Sequence, residues 1–120
     1  MVTIFRKTIT VTASSTKQDK ITFPRKAYIH MIKVIVSGST LYDFKLYSDK
    51  NYTTASLIYE AEDETGDLFD FSLPPGQYYK NEEKTDELYI EITEKSGNNG
   101  TFLIEIHATP IETDLKLKEG

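Results

Sequence analysis

Cysteine and tryptophan are both absent from the 120 residues. Without thiols there is no disulfide framework, no thiolate nucleophile and no cysteine-ligated metal, and the compartment is left undecided. Histidine is scarce as well. His30 and His107 are the only two, and two imidazoles without a third ligand do not make a zinc site. No apolar run approaches the ~20 residues that span a bilayer, so no membrane partner is expected. The opening Met1-Val-Thr-Ile-Phe-Arg-Lys7 lacks the charged-then-apolar order of a secretory signal. Positive charge is in deficit: 14 Lys and Arg stand against 19 Asp and Glu, a net −5. Phosphate backbones repel such a surface. Lys17, Lys20, Arg25 and Lys26 group loosely, but no aromatic platform is interleaved, so nucleic acid is not an expected partner.

What is present is a folding composition. Hydrophobic residues make up 38% and charged residues 28%, which separates the chain from disordered sequences. The length fits one domain, expected over residues 1–112, with a C-terminal tail over 113–120.

The clearest pattern is alternation. Glu87-Leu-Tyr-Ile-Glu-Ile-Thr-Glu-Lys95 puts Leu88, Ile90 and Ile92 in phase, and Thr101 to Thr109 does the same for Phe102, Ile104 and Ile106. Between them lies Ser96-Gly-Asn-Asn-Gly100. Period-2 runs around an Asn/Gly cluster predict an antiparallel β-hairpin. A three-residue loop sets Glu91 opposite His107. A five-residue loop sets Glu91 against Glu105, an unfavourable like-charge pair. Both registers remain open.

The same period recurs along the chain. Val2 to Ala13 reads as a strand with Phe5, Ile9 and Val11 on one face. Ser14 to Lys20 reads as a polar loop, and Ile21 to Phe23 as a short strand ended by Pro24. Ala27 to Val36 is apolar on both faces, as in a central strand covered on both sides, and its β-branched residues favour strand over helix. Leu41 to Tyr47 carries Tyr42, Phe44 and Leu46 in phase. Tyr52 to Glu60 carries Ala55, Leu57 and Tyr59, and Leu68 to Leu73 carries Phe69, Phe71 and Leu73. Gln77 to Asp86 is polar loop in which Tyr78-Tyr79 pairs briefly. About eight short strands and no convincing helix predict an all-β antiparallel sandwich, jelly-roll-like.

Candidate sites are few. Glu60, Glu62, Asp63, Glu64, Asp67 and Asp70 form an acidic run. Calcium takes six to eight oxygen ligands from such groups, and Asp63 and Asp67 are the candidate ligands, although a solvated acidic turn explains the run as well. Tyr52, Tyr78 and Tyr79 sit beside polar turns, with Gln77 and Asn81 supplying amide donors and acceptors. Flat rings flanked by such groups suit a surface glycan; the plainer account is that they cover the ends of the sandwich. No pair of carboxylates and no nucleophile frame is selected by spacing. The chain is therefore not expected to be an enzyme, and no cofactor is implied.

From Leu57-Ile-Tyr-Glu60 through Phe69-Asp-Phe71, Tyr78-Tyr79 and Glu87-Leu-Tyr-Ile-Glu-Ile92 to Thr101-Phe-Leu-Ile-Glu-Ile106, the rhythm resembles small β-sandwich phage virion proteins, those that decorate a capsid or sit on a tail. The resemblance covers residues 57–107. It implies a virion location, oligomeric packing against copies and other virion proteins, and no catalytic residues. The expected function is thus a non-enzymatic structural or attachment module of a virus particle. The alternative is a carbohydrate-binding module, with Ca²⁺ as its candidate stabiliser. The tail after Pro110 and the Thr-rich first strand are also suited to adding to a neighbour's sheet edge.

Overall fold

A computed structural model describes residues 3–22, 26–38, 40–70, 78–80 and 87–110; for 26–28, 69–70, 78–80 and 110 the backbone alone is considered. Among the described residues nine strands follow one another: β1 (Thr3–Val11), β2 (Thr16–Thr22), β3 (Lys26–Ser37), β4 (Tyr42–Tyr47), β5 (Leu57–Glu64), β6 (Leu68–Asp70), β7 (Tyr78–Lys80), β8 (Glu87–Glu94) and β9 (Gly100–Pro110). One turn of 3₁₀ helix, Thr54–Ser56, precedes β5. Threonine and β-branched residues fill these runs because their branched Cβ packs well on a pleated surface and crowds a helix.

Two antiparallel sheets face each other. Sheet A has the order β1-β9-β3-β6, with β7 also paired to β3, and sheet B the order β2-β8-β4-β5. β1 thus pairs with β9, β2 with β8, β3 with β6 and β4 with β5. This nested pairing is a long hairpin folded over itself, the jelly-roll arrangement of a double-sheet sandwich. The fold is the all-β antiparallel sandwich that the alternation predicted.

One expectation fails. β8 and β9 are not partners in a hairpin: β8 pairs with β2 and β4, and β9 with β1 and β3. Glu91 accordingly lies opposite Gln18 and Lys45, and neither His107 nor Glu105 is its neighbour. The Lys95–Asn99 segment carries the chain from sheet B to sheet A. Alternation fixes which face of a strand is buried but not which strand lies beside it. An arch between sheets and a hairpin within one therefore look alike in sequence.

The burial phases hold in both sheets. Leu88, Ile90 and Ile92 from sheet B, and Phe102, Ile104 and Ile106 from sheet A, are all fully buried in one core with Ile9, Val11, Ile32, Val34, Tyr42, Phe44 and Leu46. Burying each such side chain contributes about 1.5–3 kcal/mol. The Tyr42 ring meets Phe102 edge to face with centroids 5.0 Å apart, and its hydroxyl donates to the Gly66 carbonyl at 2.8 Å.

Smaller differences have local causes. Ser14 to Lys20 is not all loop: β2 begins at Thr16, since pairing with β8 compensates for poor apolar phasing. β5 begins only at Leu57, and Ala55 is exposed in the 3₁₀ turn. β3 lies between β9 and β6, as a central strand should, yet no described element covers its outer face. Residues 71–73 of the predicted sixth strand and the predicted tail over 113–120 lie outside the described residues.

Candidate functional site

The two outer faces of the sandwich differ. On sheet B the β4–β5 loop folds back across the strands. An Asx-type turn fixes its start, with the Asp49 carboxylate accepting the Asn51 N–H at 3.0 Å and the Thr53 hydroxyl at 3.2 Å. The Tyr52 N–H donates to the Asp49 carbonyl at 2.9 Å, and Tyr52 takes a left-handed φ of 56°, a conformation uncommon for an aromatic residue. Its ring packs edge-on against Tyr47 at 5.4 Å and Tyr89 at 6.0 Å. Its hydroxyl donates to the Asp19 carbonyl on β2 at 3.1 Å. Burial, with the charge of Asp19 next, pushes the phenol up to about 12. Tyr52 therefore spans three strands, and Tyr47 and Tyr89 beneath it are each only 6% exposed.

Sheet A has no such cover among the described residues. Register places its outward side chains in rows: Ile4, His107 and Met31; Arg6, Glu105 and Lys33; Thr8, Leu103 and Ile35; Thr10, Thr101 and Ser37. The bulge between Ile29 and Met31 leaves His30 as the extra residue, and its Nε2 lies 2.7 Å from the Thr109 hydroxyl. Ile4 is 39% exposed, the large hydrophobic most open to solvent among those described. Met31, Ile35 and Leu103 are half-buried.

At the centre of this face sits Glu105, nearly buried by the side chains around it. The Arg6 Nε–H donates to its Oε2 at 3.0 Å, His107 Nε2 lies 3.3 Å from its Oε1, and the Lys33 ammonium lies 3.9 Å away. The Arg6 hydrogen bond leads in holding this carboxyl below the ordinary Glu range; His107 and Lys33 add to it against the opposing effect of burial. A carboxylate held ionised in this way is a poor general acid. It serves instead as an anchor that fixes Arg6, Lys33 and His107 on a flat surface.

Beside this face, the edge strands β1 and β2 border an open groove of about 390 Å³. Phe5 and Ile21 line it from within the sandwich, and Arg6, Lys7 and Lys20 from its sides. Lys7 also faces Asp19 across the two edges at 3.7 Å.

The sequence-predicted sites are distributed differently. Tyr52 lies over sheet B, whereas Tyr78 and Tyr79 belong to β7, paired with Tyr28 and Ala27 in sheet A. Gln77 and Asn81 lie outside the described residues. Asp63 and Asp67 do not converge. The Asp63 carboxylate is paired with the Lys95 ammonium, which also reaches Asp43 at 3.2 Å. Asp63 itself sits at φ 54° where β5 bulges against Asp43, and its N–H donates to the Asp43 carboxylate at 2.9 Å. Asp67 accepts the Val36 N–H at 2.9 Å, tying the β6 edge to β3. No cluster of three or more metal-ligating side chains occurs among the described residues.

Sequence reasoning passed over the Arg6–Glu105–Lys33 row, because side chains from three distant segments meet only once sheet order is known. The available signal was parity: Arg6 and Glu105 each fall on the polar phase of a strongly alternating strand.

No protein-family model and no curated protein matches the chain. Among solved structures it is similar to PliG of Aeromonas hydrophila, a periplasmic inhibitor of g-type lysozyme, with a TM-score of 0.48 and 11% identity over 86% of this chain and 85% of that one.

Proposed function

We infer that this jelly roll is a non-enzymatic structural or attachment module that works through protein–protein contacts made by the outer face of sheet A. The observation that carries this reading is the asymmetry between the two faces. Tyr52 and its loop cover sheet B, while sheet A presents Ile4, Met31, Ile35 and Leu103 around a fixed charged row. Apolar residues mixed with Arg and Met on a rigid surface have the composition of contact patches.

A virus particle, as capsid decoration or tail component, is the setting we assign. Support for it is the rhythm of residues 57–107 and the use of jelly rolls in viral capsids, a fold-level analogy. Size adds an argument. Three strands ~4.8 Å apart and ~30 Å long offer roughly 400–500 Å², less than the ~800 Å² per partner of a standard interface. Stable attachment through this face thus calls for a second contact or for several copies acting together.

Light scattering after size exclusion tests the reading. The wild-type chain is expected to form a defined trimer or larger assembly, and Ile35→Glu with Leu103→Glu to give a folded monomer. A strictly monomeric wild type that binds glycans, with binding lost in Tyr52→Ala, would favour the carbohydrate-binding alternative. Genes for capsid or tail proteins flanking its own would support the virion setting.

A further inference from the structure

We propose that the groove between β1 and β2 takes an extended acidic segment of a partner protein, laid as an added strand along the outer edge of β1, with which no described strand pairs. The edges of the two sheets are not alike. β5 is broken by two register shifts and carries Glu60, Glu62, Asp63 and Glu64. β6 and β7 are three residues each. The Tyr52 hydroxyl engages the Asp19 carbonyl on β2. Bulges, shortness and cover are the usual means of protecting an edge. Among the described residues β1 shows none of these three, and its own charges, Arg6 and Lys7, line the groove. Its nine residues keep an unbroken register with β9 from Thr3↔Ala108 to Val11↔Gly100. On an edge strand, alternate backbone amides and carbonyls point away from the one neighbour, and an incoming strand can pair with them.

Charge selects the occupant. In a chain of net charge −5, the described lining of the groove holds Arg6, Lys7 and Lys20 and no carboxylate. Arg6 and Lys20 are well exposed, at 59% and 60%, and Lys7 at 38%. Each contacts an acid of its own chain: Arg6 meets Glu105, Lys7 meets Asp19, and Lys20 meets Glu87 at 3.0 Å. Those contacts leave further N–H donors on the guanidinium and the ammonium groups. Phe5 and Ile21 form an apolar floor for alternate side chains of the incoming strand. A second β1 is the wrong occupant, since antiparallel pairing centred on the groove sets Arg6 and Lys7 against the same cations of the copy. The described lining on β1 runs from Ile4 to Lys7, where Lys7 meets Asp19, so the seat accommodates a segment of about four residues. This site lies beyond the sheet-A contact proposed above and is tested separately from it.

The probe is an end-capped octapeptide alternating Glu and Val, titrated into the full ¹⁵N-labelled chain. Amide shifts are expected at residues 4–7 and 20–22, with affinity falling about tenfold or more as salt rises. Lys7→Gln with Lys20→Gln, two positions off the outer face of sheet A, should weaken binding at least about fivefold while the melting curve stays cooperative. The same peptide N-methylated at alternate residues should lose binding to the wild type, because strand addition needs its amides. Equal binding of the N-methylated peptide, equal binding of a Lys/Val peptide, shifts on the sheet-A face alone, or no shifts at about millimolar peptide would each overturn the proposal. Tighter binding to the full chain carrying Glu112→Lys and Asp114→Lys would also overturn it, by assigning the groove to the chain's own C-terminal residues.

Discussion

The Glu94 carboxylate accepts the backbone N–H of Ser14 at 2.8 Å, joining residues 80 apart in sequence. The same carboxylate takes the Ser96 N–H at 2.7 Å and the Gly97 N–H at 3.0 Å, together with the Ser96 hydroxyl. Glu94 is 1% exposed. It follows Leu88, Ile90 and Ile92 in phase, so a charge occupies the next core position, and backbone amides of two loops solvate it. Glu94→Ala removes that acceptor from the N–H groups of Ser14, Ser96 and Gly97 and ends the link between the two loops. It is expected to lower stability by about 2–4 kcal/mol in urea unfolding.

Gly38 and Gly66 separate two effects of glycine. A Cβ on Gly38 would lie 2.7 Å from the Asn99 carbonyl oxygen, and its φ is 98°. Gly66 also has a positive φ, 71°, but an added Cβ would meet nothing within 4 Å. Gly66→Ala should lose about 1 kcal/mol from backbone strain alone. Gly38→Ala should lose about 1–2 kcal/mol more, because the contact it offends is backbone that holds sheet A to the loop end. Paired thermal or urea melts measure the difference.

Acid stability follows from Glu105. Its folded pKa is depressed, chiefly by the Arg6 hydrogen bond. The linked stability is therefore fully present above the ordinary value of 4.5 and is lost as pH falls through the lower folded value. Arg6→Gln should move the acid-unfolding midpoint to higher pH and leave stability near neutrality less affected. An unchanged midpoint would show that Arg6 does not control this carboxyl.

Tyr52 makes a prediction at the other end of the scale. Its pKa of about 12 means the fold favours the neutral phenol. The associated stability is present below the unfolded value near 10 and fades as pH rises toward 12. Tyr52→Phe should lose about 1 kcal/mol with the Asp19 bond. Tyr52→Ala should lose more and bring Tyr47 and Tyr89 into solvent; the Tyr47 phenol, which burial holds above its ordinary value, should then titrate at lower pH by ultraviolet absorbance.

Lys95 places its ammonium between Asp43 and Asp63. Lys95→Met leaves two carboxylates without it. Added Ca²⁺ is expected to raise the Tm of this variant more than that of the wild type, and Asp63→Asn in the same background should abolish the difference. Equal responses would show that the pair does not gather a metal once the lysine is gone.

Much of the fold can be read along the chain. The core positions of Ile9 and Val11, of Tyr42, Phe44 and Leu46, of Leu88, Ile90 and Ile92 and of Phe102, Ile104 and Ile106, with Phe5 packed against them, follow from period-2 spacing, because a pleated strand must send alternate side chains to opposite faces. The same spacing misleads at Glu94, whose core phase looks like an ordinary end of alternation. It is silent on Tyr52, whose contacts depend on a left-handed turn over strands it does not belong to.

Sequence by itself determined that this chain forms β-strands, which side of each faces inward, and that the inward sides suffice for a sandwich. Only tertiary structure decided that β8 and β9 go to opposite sheets, that Tyr52 covers the outer face of sheet B, and that Arg6, Glu105 and Lys33 form a row. The reason is physical. Burial phase is a local property set by the pleat, whereas neighbour choice is settled by which strands, far apart in sequence, can close both sheets around one core.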